Sequence, residues 1–410
     1  MTTNRQKRPL IHFNHPDIIP MYISTFIDII GYSILIPFLP QFISQFGASL
    51  LQVGLLLSVN SFFSLFGNII WGSLSDKFGR KPILLICQAG TMAAFLILAF
   101  SNSLTMLFVS RIVDGIFGGN YPIAKAVVGD VVPPVDRSKE MANIGLAWTI
   151  GNMIGPGIGA LLARFGIMGP GLMAAGLSLM TILITFFVFK ETNPLVNGSA
   201  TAAEIRHIQQ RKAISFSLLK EHNPRVLLMQ ILTNNISFYI FITTVSIFAA
   251  ERFQLTTAQI GWMITSMGVV KLLVRLFIFN PLLGVFGDVK TAMIGFSVFI
   301  GSYIWLTLLN HLWEYMAVFV LVGFATSCTL PVMTARLSGS VGKDKQGEVM
   351  GLNTAADNVS QIIGPSVGSY LISLPVSYAY GFSMVGFSLL TILFSTIPLK
   401  KDRVSGGHPI

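Results

Sequence analysis

The sequence predicts an all-α integral membrane protein with twelve transmembrane helices, built as two pseudo-symmetric six-helix bundles. Three observations carry this. Of its 410 residues, 53% are hydrophobic and only 11% charged, with a mean hydropathy of +0.71; a soluble domain carries about 25% charged residues. Apolar runs recur that reach the ~20 residues a helix needs to cross a bilayer. Finally, short strings from the first half return in the second at a near-constant distance.

Taken in order, the N-terminus from Met1 to His15 is polar and basic and shows no signal-peptide cleavage pattern, so the first apolar run is expected to be a retained span. Spans are expected at 18–42, 51–72, 83–101, 106–130, 141–163 and 170–190, then at 225–249, 258–282, 291–309, 314–337, 347–372 and 377–398. The breaks hold turn formers or charge: "SQFGAS", "FGRKP", "FSNS", "PPVDRSKE" and "RFGIMGP". The longest polar stretch, Glu191 to Asn223, separates six spans from six. It divides the chain into an N-terminal bundle at 1–190, a linker at 191–224 with a short surface helix over Ala203 to Ala213, and a C-terminal bundle at 225–410.

Alternate connections differ in basic residues. One side, which includes both termini and the linker, collects twenty of the 27 Lys and Arg; the other holds Arg164 and Arg252. The positive-inside rule places the first side in the cytoplasm. The net charge of +10 is therefore mostly a topology signal and does not point to nucleic acid. Cys87 and Cys328 both lie in apolar runs and suggest no disulfide framework.

The halves echo each other. "NIIWGSLSD" (68–76) aligns with "NPLLGVFGD" (280–288) at an offset of 212, "MIGPGIGALL" (153–162) with "IIGPSVGSYL" (362–371) at 209, and "GLLLS" (54–58) with "GWMIT" (261–265) at 207. Such shifts are what a duplicated six-helix unit leaves. Two parallel repeats with a site at the midplane describe a secondary transporter.

Four motifs then bring out a resemblance. "GSLSDKFGRKPILL" (72–85) resembles the cytoplasmic loop signature of the major facilitator superfamily, with Lys77 where Arg is common. "RIVDGIFGGN" (111–120) resembles its Arg-based fourth-span motif. "GNMIGPGIGA" (151–160) resembles the fifth-span antiporter motif, ending in Ala rather than Gly. "GYSILIPFLP" (31–40) resembles the first span of the drug:proton antiporter branch, which includes tetracycline exporters. The resemblance covers roughly residues 18 to 399. It implies the major facilitator fold, a multi-pass protein of the plasma membrane, and exchange of a small molecule for protons.

The resemblance also implies that the 72–81 loop is a conformational latch. Lys77, Arg80 and Lys81 satisfy the positive-inside rule, which would not by itself explain Asp76, Gly72 or Gly79. In the latch, Asp76 meets the N-terminus of the eleventh span, where the helix dipole favours an anion. Arg80 pairs with Asp130 and holds Asp76, and Gly72 lets the halves approach. In the fifth span Gly151, Gly155 and Gly159 recur every fourth residue and form one bare stripe, beside a helix-weakening Pro156. That stripe is expected to seal against a span of the other half. Gly364, Pro365 and Gly368 repeat the device in the eleventh span.

Charges inside spans are costly and read as functional by default. Asp28, Arg111 and Asp114 fall at similar depth near the midplane. Asp28 is the expected proton carrier, since nothing basic lies near it on its own helix; Asp114, three residues after Arg111, is the expected permanent partner of that Arg. At an offset of 207, Asp28 corresponds to Asn235. In the second half Lys271 and Arg275 share a helix face, and Asp357 lies near the midplane. A Lys271–Asp357 salt bridge is the favoured reading, with anion binding by Lys271 or Arg275 as the alternative. Lys125 is read as snorkelling to the interface.

No Cys/His metal spacing, phosphate-cradling loop or serine elbow is present, so neither an enzyme, a metal site nor a cofactor is expected. The expected partners are a small-molecule substrate, protons and the bilayer, with the chain a monomer. Uptake of an organic anion or metabolite, uncoupled facilitation, and a non-transporting sensor or scaffold are the alternatives.

Overall fold

A computed structural model describes residues 18–36, 39–133, 136–196, 198, 216–342, 345–374 and 378–399. The basic N-terminus, the expected surface helix at 203–213, and Pro37 and Phe38 of the first-span motif lie outside the described residues.

The first half contains α1 (Ile19–Leu35), α2 (Leu39–Ser44), α3 (Leu50–Phe78), α4 (Arg80–Ala99), α5 (Leu104–Phe117), α6 (Asn120–Val131), α7 (Arg137–Leu162) and α8 (Met168–Phe187). The second contains α9 (His222–Phe253), α10 (Thr257–Leu273), α11 (Phe279–Leu308), α12 (Leu312–Gly339), α13 (Gln346–Ser373) and α14 (Ala379–Thr396). A π-helical turn, Val274–Ile278, joins α10 to α11. Among the described residues, eight helical stretches are long and apolar enough to cross a membrane.

Local chemistry sets several boundaries. Ser49 caps α3 and Gln52 returns the bond, while Thr256 and Gln259 do the same for α10, so the two capping boxes sit 207 residues apart. The α3–α4 turn is made by Gly79 at φ 106°, a conformation that glycine alone adopts readily. Its counterpart is Gly287 at φ 72°, where α11 folds back on itself. The Gly79–Gly287 offset is 208, one more than that of the capping boxes. The wider π turn between them takes up the extra residue.

This corrects the repeat alignment at the second-half loop. The 212 offset paired Asp288 with Asp76, but Asp288 follows the turn rather than preceding it. The residue in the place of Asp76 is Gly284, so the second half carries no acid there.

The fourth span breaks after α5, at Gly118 and Gly119. Trp71 of α3 covers the break: its ring stacks on Phe117 at 5.4 Å and its Nε1 donates to the Ile116 carbonyl at 2.6 Å. One first-half core gathers Ile18, Tyr22, Leu84, Cys87, Ile123 and Ile144 from α1, α4, α6 and α7 with the residue that precedes α1. A second-half core joins α9 to α14 through Phe241, Phe299, Tyr303, Tyr315 and Met384. The halves meet along α3 against α13 and along α7 against α10, pairs that the duplication exchanges.

Candidate functional site

The charged loop between α3 and α4 is a closed polar cluster. Arg80 is only 3% exposed, and its guanidinium bridges Asp76 at 2.6 Å, Asp130 at 2.8 Å and the Ser75 hydroxyl at 2.8 Å. Lys81 Nζ donates to the Phe186 carbonyl at 2.8 Å. Two residues that the sequence reading assigned to the linker complete it. Glu191 accepts from the backbone N–H groups of Arg80, Lys81, Thr192 and Asn193, at 2.8 to 3.0 Å, and so caps α4. Asn193 donates to the Ser75 and Asp76 carbonyls at the end of α3. A Cβ at Gly79 would come within 2.6 Å of Glu191, so the turn needs glycine for contact as well as for φ. A cavity of about 280 Å³ opens beside the cluster, lined by Gly72, Asp76, Arg80, Lys125 and Met141 among others.

The expectation that Gly72 lets the halves meet is not fulfilled in this conformation. A Cβ placed there would have no atom within 4 Å. Among the described residues, the hydrogen bonds between α3 and α13 lie nearer the start of α3. Ser58 donates to the Ile362 carbonyl at 2.6 Å and pairs with Ser366, and Ser61 reaches Gln361 at 3.4 Å.

The glycine stripe of α7 also faces differently from the expectation. Gly151 and Gly155 pack on Ile29 and Ser33 of α1, within the same half, and Gly159 is buried. Residues four apart stay on one helix face, while Gly157 lies about 200° round from Gly155. It is Gly157, with the Pro156 carbonyl and Ala160, that meets Trp262, Thr265 and Gly261 of α10. In α13, Gly364 and Gly368 likewise pack on Tyr239, Ile240 and Thr244 of α9, while the Pro365 carbonyl faces Gly54 of α3.

Within the membrane-spanning region, Arg111 is 2% exposed and donates to Asp114 at 3.1 Å and to Ser110 at 3.1 Å, with its face toward the Phe95 ring. Asn60, a neutral residue in an apolar run, adds a 2.8 Å bond to Asp114 and a 3.3 Å bond to the Arg111 carbonyl. Asp28 differs. Both carboxylate oxygens are sealed from solvent and make no hydrogen bond. The side chains of Thr181 and Asn120 approach it outside bonding geometry, and the Asp114 charge lies within electrostatic reach.

Asp357 is held by Asn235 at 3.1 Å, Gln361 at 2.9 Å and the Tyr239 hydroxyl at 3.2 Å. The favoured Lys271–Asp357 bridge is absent among the described residues. The cation within electrostatic reach of Asp357 is Lys125 of α6, across the interface between halves. Lys125, expected to snorkel to the interface, instead lies with its ammonium 4.3 Å over the Tyr121 ring. Lys271 lies over the Phe238 ring at 4.7 Å and Arg275, in the π turn, over Phe279 at 4.4 Å. Tyr32 sits within electrostatic reach of Arg111, Asp114 and Asp357 together, linking the two groups of charges.

Comparison with known proteins agrees with this architecture. The Major Facilitator Superfamily model matches residues 21–256 and again 227–408. The tetracycline resistance protein, class H, of Pasteurella multocida is 27% identical over 399 residues, covering 95% of this chain and 97% of the relative. Multidrug resistance protein 2 of Bacillus subtilis is 24% identical, covering 92% and 94%. Among solved structures, the human organic anion transporter MFSD10 superposes with a TM-score of 0.70 at 21% identity, covering 93% of this chain and all of that one. A peptide transporter in complex with alafosfalin superposes with a TM-score of 0.74 at 14% identity, covering 94% and 95%. With the duplicated helix pairs and the family match over nearly the whole length, the chain belongs to the major facilitator superfamily of membrane transporters.

Proposed function

We propose that this transporter is a proton-driven exporter of a small amphipathic molecule, working by alternating access. Relatives named for tetracycline and multidrug resistance support efflux. The observation that carries proton coupling is the contrast between Asp28 and Asp114. Asp114 is fixed to Arg111 and Asn60, as a permanent counter-ion would be. Asp28 has no bonded cation and no donor, so its charge is free to change during a cycle.

In this reading the chain crosses the plasma membrane twelve times, with both termini and the 191–224 linker in the cytoplasm, and acts as a monomer. The stretch Thr257–Leu308 has 52 residues, or ~78 Å of helix, which is more than twice a ~30 Å core and supports two crossings that turn at Gly287. Arg80, Asp76 and Asp130 form the latch that biases the cytoplasmic gate. Lys271 favours a second reading of the substrate, as an organic anion, because it has no ion-pair partner among the described residues.

The test is transport by the full chain in proteoliposomes, with tetracycline, ethidium and benzoate as probes under imposed pH gradients. Export reads as uptake into vesicles in which the protein's cytoplasmic face points outward, driven by an acid interior, and lost in Asp28→Asn. Accumulation independent of the gradient would remove proton coupling. Benzoate movement alone would move the reading to anion transport.

A further inference from the structure

The sealed oxygens of Asp28 raise the question of how a proton leaves them for the cytoplasm. Asp28 opens onto no solvent, even though the Gly72 side of the protein has free space. A second buried acid lies on the cytoplasmic side of it. Glu140, in the first turn of α7, is fully buried in the core formed by Ile18, Met21 and Ile144. Its Oε2 accepts from the Tyr22 hydroxyl at 2.5 Å and from Asn143 at 2.7 Å, and its Oε1 has no partner. Among the described residues no cation pairs with it.

A buried acid held only by neutral groups is a poor device for stability, since an apolar residue of the same size would serve as well or better. Tyr22 and Asp28 lie on the same helix, six residues or ~9 Å of rise apart. Thr25 stands midway on that face, 4% exposed, with its hydroxyl also unpartnered. The unpartnered Asp28 carboxylate, the unpartnered Thr25 hydroxyl and the bonded Tyr22 phenol thus follow one another down α1, and Tyr22 meets Glu140 in the first turn of α7.

We propose that Thr25, Tyr22 and Glu140 form a proton exit from Asp28 to the cytoplasm. The inference rests on the proton-coupled reading above. The Asp28 carboxyl gives its proton to the Thr25 oxygen as the Thr25 hydroxyl passes its own onward. Water carries the proton between Asp28, Thr25 and Tyr22, Tyr22 repeats the exchange, and the Glu140 carboxylate bonded to it receives the proton directly. Glu140, sealed in this conformation, then releases it at the α6–α7 end when the cytoplasmic side opens. Each hydroxyl ends with the proton count it began with, and the net result is one proton moved from Asp28 to bulk water. Asn143 is a positioning residue, holding the accepting oxygen of Glu140.

The test is a pH-jump infrared measurement on the purified full-length protein, following the Asp28 carboxyl band, which is assigned by its loss in Asp28→Asn. We expect Glu140→Gln, Tyr22→Phe and Thr25→Val each to slow the relaxation of this band by at least about tenfold while leaving its titration end-point in place. Thr25→Ser keeps the hydroxyl and should relax like the parent. A merely structural role would move the end-point or the melting temperature and spare the rate. Unchanged relaxation in folded Glu140→Gln or Tyr22→Phe overturns the route and leaves the antiport reading intact. A carboxyl band that is insensitive to Asp28→Asn overturns both.

Discussion

Gly261 of α10 sits against the carbonyl of Pro156 in α7, so close that a Cβ there would come within 2.7 Å of the oxygen. The duplicate contact is Gly54 of α3 against Pro365 of α13, at 2.5 Å. In both places a proline lies on one side of the junction and a bare glycine on the other. The two halves therefore close on a pair of symmetry-related backbone contacts that no side chain can enter.

A side chain at Gly54 should wedge this end of the interface open. Overpacking at a site with backbone opposite costs about 1–3 kcal/mol. In the alternating-access cycle proposed above this contact would open in one state, so the cost should appear as a shift between states rather than as unfolding. We expect Gly54→Val to raise the population with the halves separated at Ser58 by roughly tenfold. Spin-label distances across α3 and α13 read this directly, and distances unchanged from the parent would count against it.

The cap formed by Glu191 gives a second prediction. It accepts four backbone N–H groups, two of them at the start of α4. Glu191→Ala leaves these donors without their acceptor and should destabilise the first half by about 1–3 kcal/mol. A lowered melting temperature in detergent checks this. Asp76→Asn, by contrast, keeps the helix ends capped by Glu191 and Asn193. It should slow or abolish transport with little change in melting.

The contrast between these two residues shows what was legible in the sequence. Asp76, Gly79 and Arg80 stand out as charge and glycine interrupting an apolar run. Glu191 and Asn193 do not, because their role depends on α8 returning the chain to the loop more than a hundred residues later. The strings "GLLLS" and "GWMIT" carry the duplication at 207, the same offset as the capping boxes at Ser49 and Thr256. The string "NPLLGVFGD" misled by four residues, one helical turn, because similar apolar residues recur at that spacing and the π turn's extra residue has no signature in composition. Depth along a span was readable for Asp357 and Lys271, whereas Lys125 reads from the sequence as snorkelling to the interface. The face was not, so the cation facing Asp357 was assigned to the wrong helix. Asn60, Tyr239 and Gln361 carry no charge and gain meaning only from the acids they bond.

Lys271 offers a test of substrate charge. Its ammonium rests on the Phe238 ring, and Phe238 in turn touches Tyr239 at 5.7 Å between ring centroids, next to Asp357. A substrate carrying an anionic group would find a cation there that needs no ion pair broken. Lys271→Gln should raise the KM for an anionic substrate by about tenfold or more, equivalent to the loss of ~1.4 kcal/mol, with kcat little changed. For a cationic substrate the same change should lower KM, by removing like-charge repulsion. Equal KM values for parent and variant with both kinds of probe would exclude Lys271 from the binding site.

The two acids of the first half should separate under the same substitution. Asp114→Asn removes the charge that pairs with Arg111 inside the bilayer core and leaves a guanidinium only 2% exposed without its counter-ion. Breaking a buried pair on one side costs about 3–5 kcal/mol, so this variant should melt markedly lower. Asp28→Asn removes a charge that no cation is bonded to, and replaces it with an amide able to donate toward Thr181 and Asn120. It should melt at or above the parent temperature while losing gradient-driven transport. Melting curves and proton-driven flux measured on the same preparations make the comparison. Equal melting of the two variants would mean that Asp28 is held as firmly as Asp114, and would remove the ground for treating one as carrier and the other as counter-ion.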